Sequence, residues 1–337
     1  MKIIIGLDVG TTGCKAVAVN QTLRILAVTA AGYPLHSPSA DRAEQDIAQV
    51  WRGCTQALRS LTRKLIGRPI AGLCLSGAMH SLMMVDQDHK PRDRAWTWAD
   101  ARCAGSVPIL QNNPEAQKLY HRTGCPLQAM YHPARLHWLK HHDQAHFRSK
   151  PIYVGIKDAL LHKLTGRWVT DWAIASATGL LNLQTHQWDE KALHQSGIIS
   201  AQLPEPVSPF TVVGALLNGV ARQTGLPAGL PVIAGGSDGL LANIGAGGVR
   251  GGEMVATVGT TGALRRITTS PLLDKKARTW CYVMDENRYL AGGAINNGGL
   301  TLQWIHDHFY KDQGGFDALF KEAKSIKPGC DGLMLLP

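Results

Sequence analysis

The sequence predicts an α/β protein made of two related domains. Three observations carry this. The chain opens as three strands, a helix and a further strand, which is how an α/β domain begins. The pentapeptide Val-Gly-Thr-Thr-Gly occurs twice, at Val9–Gly13 and Val258–Gly262, and identical strings far apart hint at duplicated units. The length, 337 residues, is enough for two domains.

The elements follow in order. Residues 2–7, 14–20 and 24–33 read as strands, the first two joined by the turn Gly10–Gly13. Ile47, Val50, Trp51, Cys54, Leu58, Leu61 and Leu65 recur at helical spacing and predict an amphipathic helix over 45–64. Residues 70–76 and 82–86 read as two more strands, and 100–164 as mainly helical with breaks near Pro114, Pro126, Pro133 and Pro151. The proline-rich segment 200–231 is the expected junction, giving domains 1–230 and 231–337. Beyond it, 231–236 reads as a strand, 239–245 as a short helix, and 253–258 with 262–267 as a hairpin mirroring the first. Strands at 280–284 and 288–292 and helices at 300–310 and 316–326 complete the reading.

Each pentapeptide follows an apolar run, so each reads as a strand entering a tight turn. Glycine allows close backbone approach, and freed N–H groups and Thr hydroxyls suit phosphate oxygens. Two such turns facing each other would grip a nucleotide polyphosphate. Asp8 precedes the first and Thr257 the second, so only the first offers a carboxylate to a hydrated Mg2+.

Composition excludes several classes. With 45% hydrophobic and 18% charged residues, the chain is globular rather than disordered. No stretch is long and apolar enough for a membrane span, and the N-terminal run is too short for a signal peptide. Seven cysteines, an odd number without a CxxC pair, read as free thiols of the cytoplasm. The net charge of +10 comes from dispersed Lys and Arg without a nucleic-acid motif, which leaves a field attracting anionic small molecules or a basic surface with no specific role. His137 and His141 stand four apart but lack a third ligand at diagnostic spacing, which favours a solvated helix face. A homodimer is an assembly open to such a protein.

Several blocks, in order along essentially the whole chain, resemble the FGGY carbohydrate kinases of the actin-like ATPase group. They are Gly6–Lys15, Ser76–His80, Trp96–Arg102, Lys157–Gly166, Thr170–Gly179, Gly235–Gly239, Gly259–Gly262 and Ala291–Leu300. The last block, followed by Trp304, is similar to the gluconate kinase branch. The resemblance implies two ribonuclease-H-like domains with sugar and ATP meeting between them, and the reaction expected is ATP-dependent phosphorylation of gluconate to 6-phosphogluconate. A pentulose such as xylulose is the nearest alternative substrate. Family members continue past the position of Pro337, so the second domain is expected to be incomplete, with exposed apolar surface. A sugar-binding remnant without turnover is the alternative of another class.

Site residues are carried over by the same resemblance. Asp238 is the expected base, although an Asp before a helix is also a favoured N-cap. Asp8 is expected at Mg2+. Thr11, Thr12 and Lys15 on one side, and Gly259, Thr260 and Thr261 on the other, are expected at the phosphates of ATP. Gly298 and Gly299 are candidates for close approach of the nucleotide. Met79, His80, Trp98, Asp100 and Arg102 are expected around the sugar, with Arg102, His80 and Lys157 the candidates for binding its carboxylate.

Overall fold

The computed structural model describes residues 2–259, 261–295 and 298–334. Strand β1 (Ile3–Val9) buries Ile3, Ile5, Leu7 and Val9 and leaves Asp8 exposed. It pairs antiparallel with β2 (Gly13–Asn20), which pairs antiparallel with β3 (Ile25–Gly32). Helix α1 (Ile47–Lys64) starts at Asp46, whose carboxylate accepts from the N–H groups of Ala48 and Gln49. It ends on Arg63 and Lys64, which complement the carbonyl end of the helix dipole. Its stripe of Val50, Cys54, Ala57, Leu58 and Leu61 packs on β2 and β3. Strand β4 (Ile70–Gly77) then lies parallel to β1.

The segment after β4 carries short helices, including Ala116–Thr123 and His132–His142, as expected. It also contains the strand Ile152–Val154, paired antiparallel with Met83–Val85. Three residues are too few to show a period within a helical stretch. Helix α2 (Ile156–Thr165) follows.

The segment 200–231 is not the break between sheets. It holds strand β5 (Val212–Ala215) and a helix at Asn218–Thr224. Strand β6 (Pro231–Ser237) pairs antiparallel with β5 and parallel with β4, giving a six-stranded sheet of order β5-β6-β4-β1-β2-β3. The division expected at 230/231 therefore cuts through one sheet. Pro231 heads β6, a position where a missing N–H is tolerated, so the proline signalled a strand start rather than a linker. Helix α3 (Asp238–Gly245) completes this unit.

A second sheet begins at β7 (Val255–Val258) and runs β7-β8-β10-β9, with β8 at Gly262–Thr268, β9 at Trp280–Val283 and β10 at Tyr289–Ile295, all antiparallel. Helix α4 (Gly299–Ile305) continues as a π-helical turn at His306–Tyr310 and is followed by α5 (Gly315–Ser325). This sheet joins the rest through both of its faces: Trp280, Tyr282, Ile267 and Leu290 pack with Tyr131, Ala173, Ala177 and Leu240, and Cys281, Val283, Tyr289 and Ala291 pack with Ala175, Leu181 and Leu183. Tyr131 and Tyr282 share a hydrogen bond of 2.7 Å between hydroxyls, and the Cys281 N–H donates to the Gly124 carbonyl. Met254, Val258, Leu264 and Ile295 remain exposed around a concave face of the second sheet.

Candidate active site

Three parallel strands bring the site together. β1, β4 and β6 are neighbours, and their registers pair Asp8 with Ser76 and Gly77 with Ser237. Asp8, the segment after Gly77, and Asp238 therefore emerge at the same carboxyl edge, where open α/β sheets bind ligands. The Ser76 hydroxyl donates to Asp8 Oδ1 at 2.6 Å. Lys15 faces Asp8 across the β1–β2 pair and is exposed.

The first turn is satisfied from behind. Gln45 Nε2 donates to the carbonyls of Gly10 and Thr11, and the Tyr33 hydroxyl lies 2.9 Å from those of Gly10 and Gly13. The Tyr33 N–H takes the Thr12 carbonyl. All four carbonyls are thus occupied, which leaves the hydroxyls and N–H groups of Thr11 and Thr12 for an anion. This turn lines a concave surface of about 430 Å³ with Asp8 and Lys15. Trp98 Nε1 donates to Thr11 Oγ1 at 3.1 Å.

In the second turn the Gly259 N–H donates to the Thr261 carbonyl, and the Gly259 carbonyl accepts from the N–H of Gly299. Thr260 lies outside the described residues, as do Asn296 and Asn297. A Cβ at Gly298 would come within 2.7 Å of the carbonyl oxygens of Gly259 and Thr261, and one at Gly299 within 2.9 Å of the former. These glycines therefore let backbone pack on backbone and shape the turn.

Asp238 is the first residue of α3, and Ser237 rather than Asp238 caps that helix. Gly235, at φ +71°, makes the preceding bend, with the Leu75 carbonyl where a side chain would be. Burial lifts the half-buried Asp238 carboxyl to about 6, and the charge of Asp8 adds to this. The Gly239 N–H, Arg265 and the Met79 N–H pull the other way. Met79 and Arg265 both lie against Gly239, where a Cβ would meet Met79 Cε at 2.9 Å and Arg265 Nε at 3.3 Å.

Four expected sugar contacts are engaged elsewhere. Lys157 is only 1% exposed and donates to the Asp171 carboxylate at 2.5 Å and to the Gly236 carbonyl at 3.1 Å, so it supports β6 and is already engaged away from a sugar carboxylate. Asp100 is buried and accepts from the Ala43 N–H and from Arg102. Arg102 is consumed by Asp100 and Glu44 and lies over the Trp96 ring. His80 adopts φ +62°, a left-handed conformation uncommon outside glycine. Its Nδ1 lies 2.8 Å from the Ala177 carbonyl, and burial drops its pKa to about 3. A neutral imidazole brings no charge to an anion. Met79 and Trp98 remain at the open edge.

Three contributors were not anticipated. Arg135 is completely buried and donates to the carbonyls of His80 and Thr97, tying together the segments that carry Met79 and Trp98. Tyr33 and Gln45 form the back of the first turn. His137 pairs with Ser106 at 2.9 Å, and among the described residues no cluster of three His, Cys, Asp or Glu could hold a metal. Asp8 and Asp238 at one strand edge would suit Mg2+, which keeps several waters and takes one or two carboxylates plus phosphate oxygens.

The first sheet thus brings Asp8, the Thr11–Thr12 turn and Asp238 to one carboxyl edge. A profile of the FGGY family of carbohydrate kinases, N-terminal domain, matches residues 3–245. A gluconokinase of Bacillus subtilis (strain 168) is 32% identical over 99% of this chain and 67% of its own length. A xylulose kinase of the same organism is 28% identical over 100% and 68%. Among solved structures, a gluconate kinase from Lactobacillus acidophilus superposes with a TM-score of 0.94 at 33% identity, covering all of this chain and 68% of that one. A ligand-bound xylulose kinase from that organism gives 0.94 and 34% over the same shares. The chain belongs to the FGGY family of carbohydrate kinases and has their actin-like ATPase fold. It spans about two thirds of the length of these relatives.

Proposed function

We propose that this protein is an ATP-dependent sugar-acid kinase that phosphorylates the terminal hydroxyl of gluconate. The observation that carries the reading is Asp238: a half-buried carboxylate at the edge it shares with Asp8 and the Thr11–Thr12 turn, lifted toward the working range of a general base. Asp238 accepts the proton of the attacking hydroxyl. Thr11, Thr12 and Lys15 engage phosphate oxygens from one side, and the Gly259–Gly262 turn from the other. Asp8 would hold Mg2+, and the metal would supply charge neutralisation on the phosphates. Met79 and Trp98 line the sugar, Trp98 presenting a flat face to its C–H groups. Free thiols throughout suit work in the cytoplasm.

The gluconokinase relatives support the choice of gluconate. A xylulose kinase is the second reading, since the Lactobacillus acidophilus enzyme of that name is as similar in structure. Coupled measurement of ATP consumption with gluconate, xylulose, ribulose and glycerol separates the two. Turnover with gluconate, lost in Asp238→Ala, is the expected result. Preferential turnover of xylulose replaces the substrate, and turnover that survives Asp238→Ala removes Asp238 as the base.

A further inference from the structure

Arg265 is the feature that the reading above leaves unused. It lies on β8, three positions past the second glycine turn. Nη1 donates to Thr257 Oγ1 at 3.0 Å, which fixes the guanidinium over the strand that leads into that turn. The planar group packs against Gly239, the neighbour of Asp238, where a Cβ would lie 3.3 Å from its Nε. Its Nε is buried and has no hydrogen-bond partner among the described residues. A guanidinium N–H left buried without an acceptor is costly, and such a group calls for a ligand oxygen.

Position decides which oxygen. The carboxylate of a six-carbon sugar acid lies at the far end of the chain from the hydroxyl it offers to Asp238. A cation packed beside Asp238 is at the reacting end. It also belongs to the sheet that carries the second phosphate turn, whereas Asp238 belongs to the first sheet. Arg265 therefore stands where the phosphoryl group must pass between the two.

We propose that Arg265 is a catalytic residue that donates to the phosphoryl group in transit, with Thr257 as the residue that positions it. In that step the acceptor oxygen bonds to the γ-phosphorus of ATP and the bond from that phosphorus to the bridging oxygen breaks. ADP leaves with the electron pair, and the hydroxyl proton passes to Asp238. Charge spreads over the three equatorial oxygens during transfer, so a fixed fork of donors acts most strongly at that moment. This inference rests on the kinase reading of the site.

The test compares Arg265→Ala and Arg265→Lys with the unaltered protein, using calorimetric binding and steady-state kinetics. Arg265→Ala is expected to lower kcat by about 10²–10³-fold, the usual effect of removing one preorganised donor. Its Kd for the β,γ-imido analogue of ATP should rise about tenfold, the loss of one charge-assisted hydrogen bond. The Kd values for ADP and gluconate should stay within about twofold, because neither contact involves the transferred group. Added guanidinium ion should restore part of the lost turnover, and Arg265→Lys should fall between the two. A kcat for Arg265→Ala close to that of the unaltered protein overturns the proposal. So does a raised KM for gluconate at unchanged kcat, the signature of a carboxylate anchor. If another acceptor is preferred while Arg265→Ala still loses affinity for the imido analogue, the substrate assignment falls and this inference stands. If Arg265→Ala phosphorylates gluconate normally, this inference falls and the assignment stands. Failure of the unaltered protein to bind any nucleotide would sink both.

Discussion

Trp98 donates its indole N–H to the hydroxyl of Thr11, 3.1 Å away, and so couples the segment proposed to line the sugar to the turn proposed to hold phosphate. Trp98 is 40% exposed, so packing contributes little to holding it there. The bond is a neutral one, worth about 0.5–1.5 kcal/mol net. Trp98→Phe and Thr11→Val should each reduce kcat/KM, and their combination should lose less than the sum. A double-mutant cycle on kcat/KM should return a coupling energy in that same range, about 0.5–1.5 kcal/mol. Strict additivity would mean that the two segments act independently.

Lys157 makes a different kind of prediction because it is sealed in. Its ammonium holds Asp171 and the Gly236 carbonyl, two residues before Asp238. Asp171 meanwhile caps the helix Trp172–Ser176 through its other oxygen. Lys157→Met leaves that carboxylate buried and unpaired, and loss of one partner of such a pair costs about 3–5 kcal/mol. Denaturant melts should show a loss of this size. The double variant Lys157→Met/Asp171→Asn should recover part of it, since no charge is then stranded. A Lys157→Met protein as stable as the original would show that water reaches Asp171.

The contrast between these residues explains what could be read from the sequence. Alternation in β1 and the helical spacing of α1 are local, and both elements fall within about two residues of their expected places. The strand-turn-strand units around Gly10–Gly13 and Gly259–Gly262 were legible because short motifs hold their own geometry. Arg135 and Lys157 were not. On a helix, a basic residue ordinarily marks a solvated face, and only the tertiary fold turns these two inward onto carbonyls of other segments. Arg102 and Asp100 were placed in the right segment but with the wrong partner, because residue type alone does not reveal that Glu44 arrives across the Glu44–Gln45 and Ala95–Trp96 pairing. The break at residue 230 failed for a similar reason: proline density records local backbone preference, while membership of a sheet is decided by strands far away in sequence.

Asp238 gives the sharpest pH prediction. Its carboxyl titrates near 6 instead of 3.8, with burial the main cause. In its proposed role as base it must be ionised, so kcat/KM should rise with pH along a single-proton limb centred near 6 and level off above it. Asp238→Asn should abolish that limb together with about 10²–10⁴-fold of the rate. Stability should move the opposite way. A carboxyl whose folded-state pKa exceeds its unfolded value favours folding fully below about pH 4, and the advantage is lost as pH rises through about 6. At pH 7.5 the ionised, half-buried carboxylate is a burden on the fold that an amide does not impose. At about 1.4 kcal/mol per unit, the shift of roughly two units sets an upper bound near 3 kcal/mol on the gain from Asp238→Asn. Melts of the two proteins should therefore separate at pH 7.5, with the inactive variant the more stable, and converge below pH 4. A variant that is both inactive and less stable at pH 7.5 would mean that Asp238 serves the fold through its charge, and that its loss of activity follows from damage to the fold rather than from removal of a base.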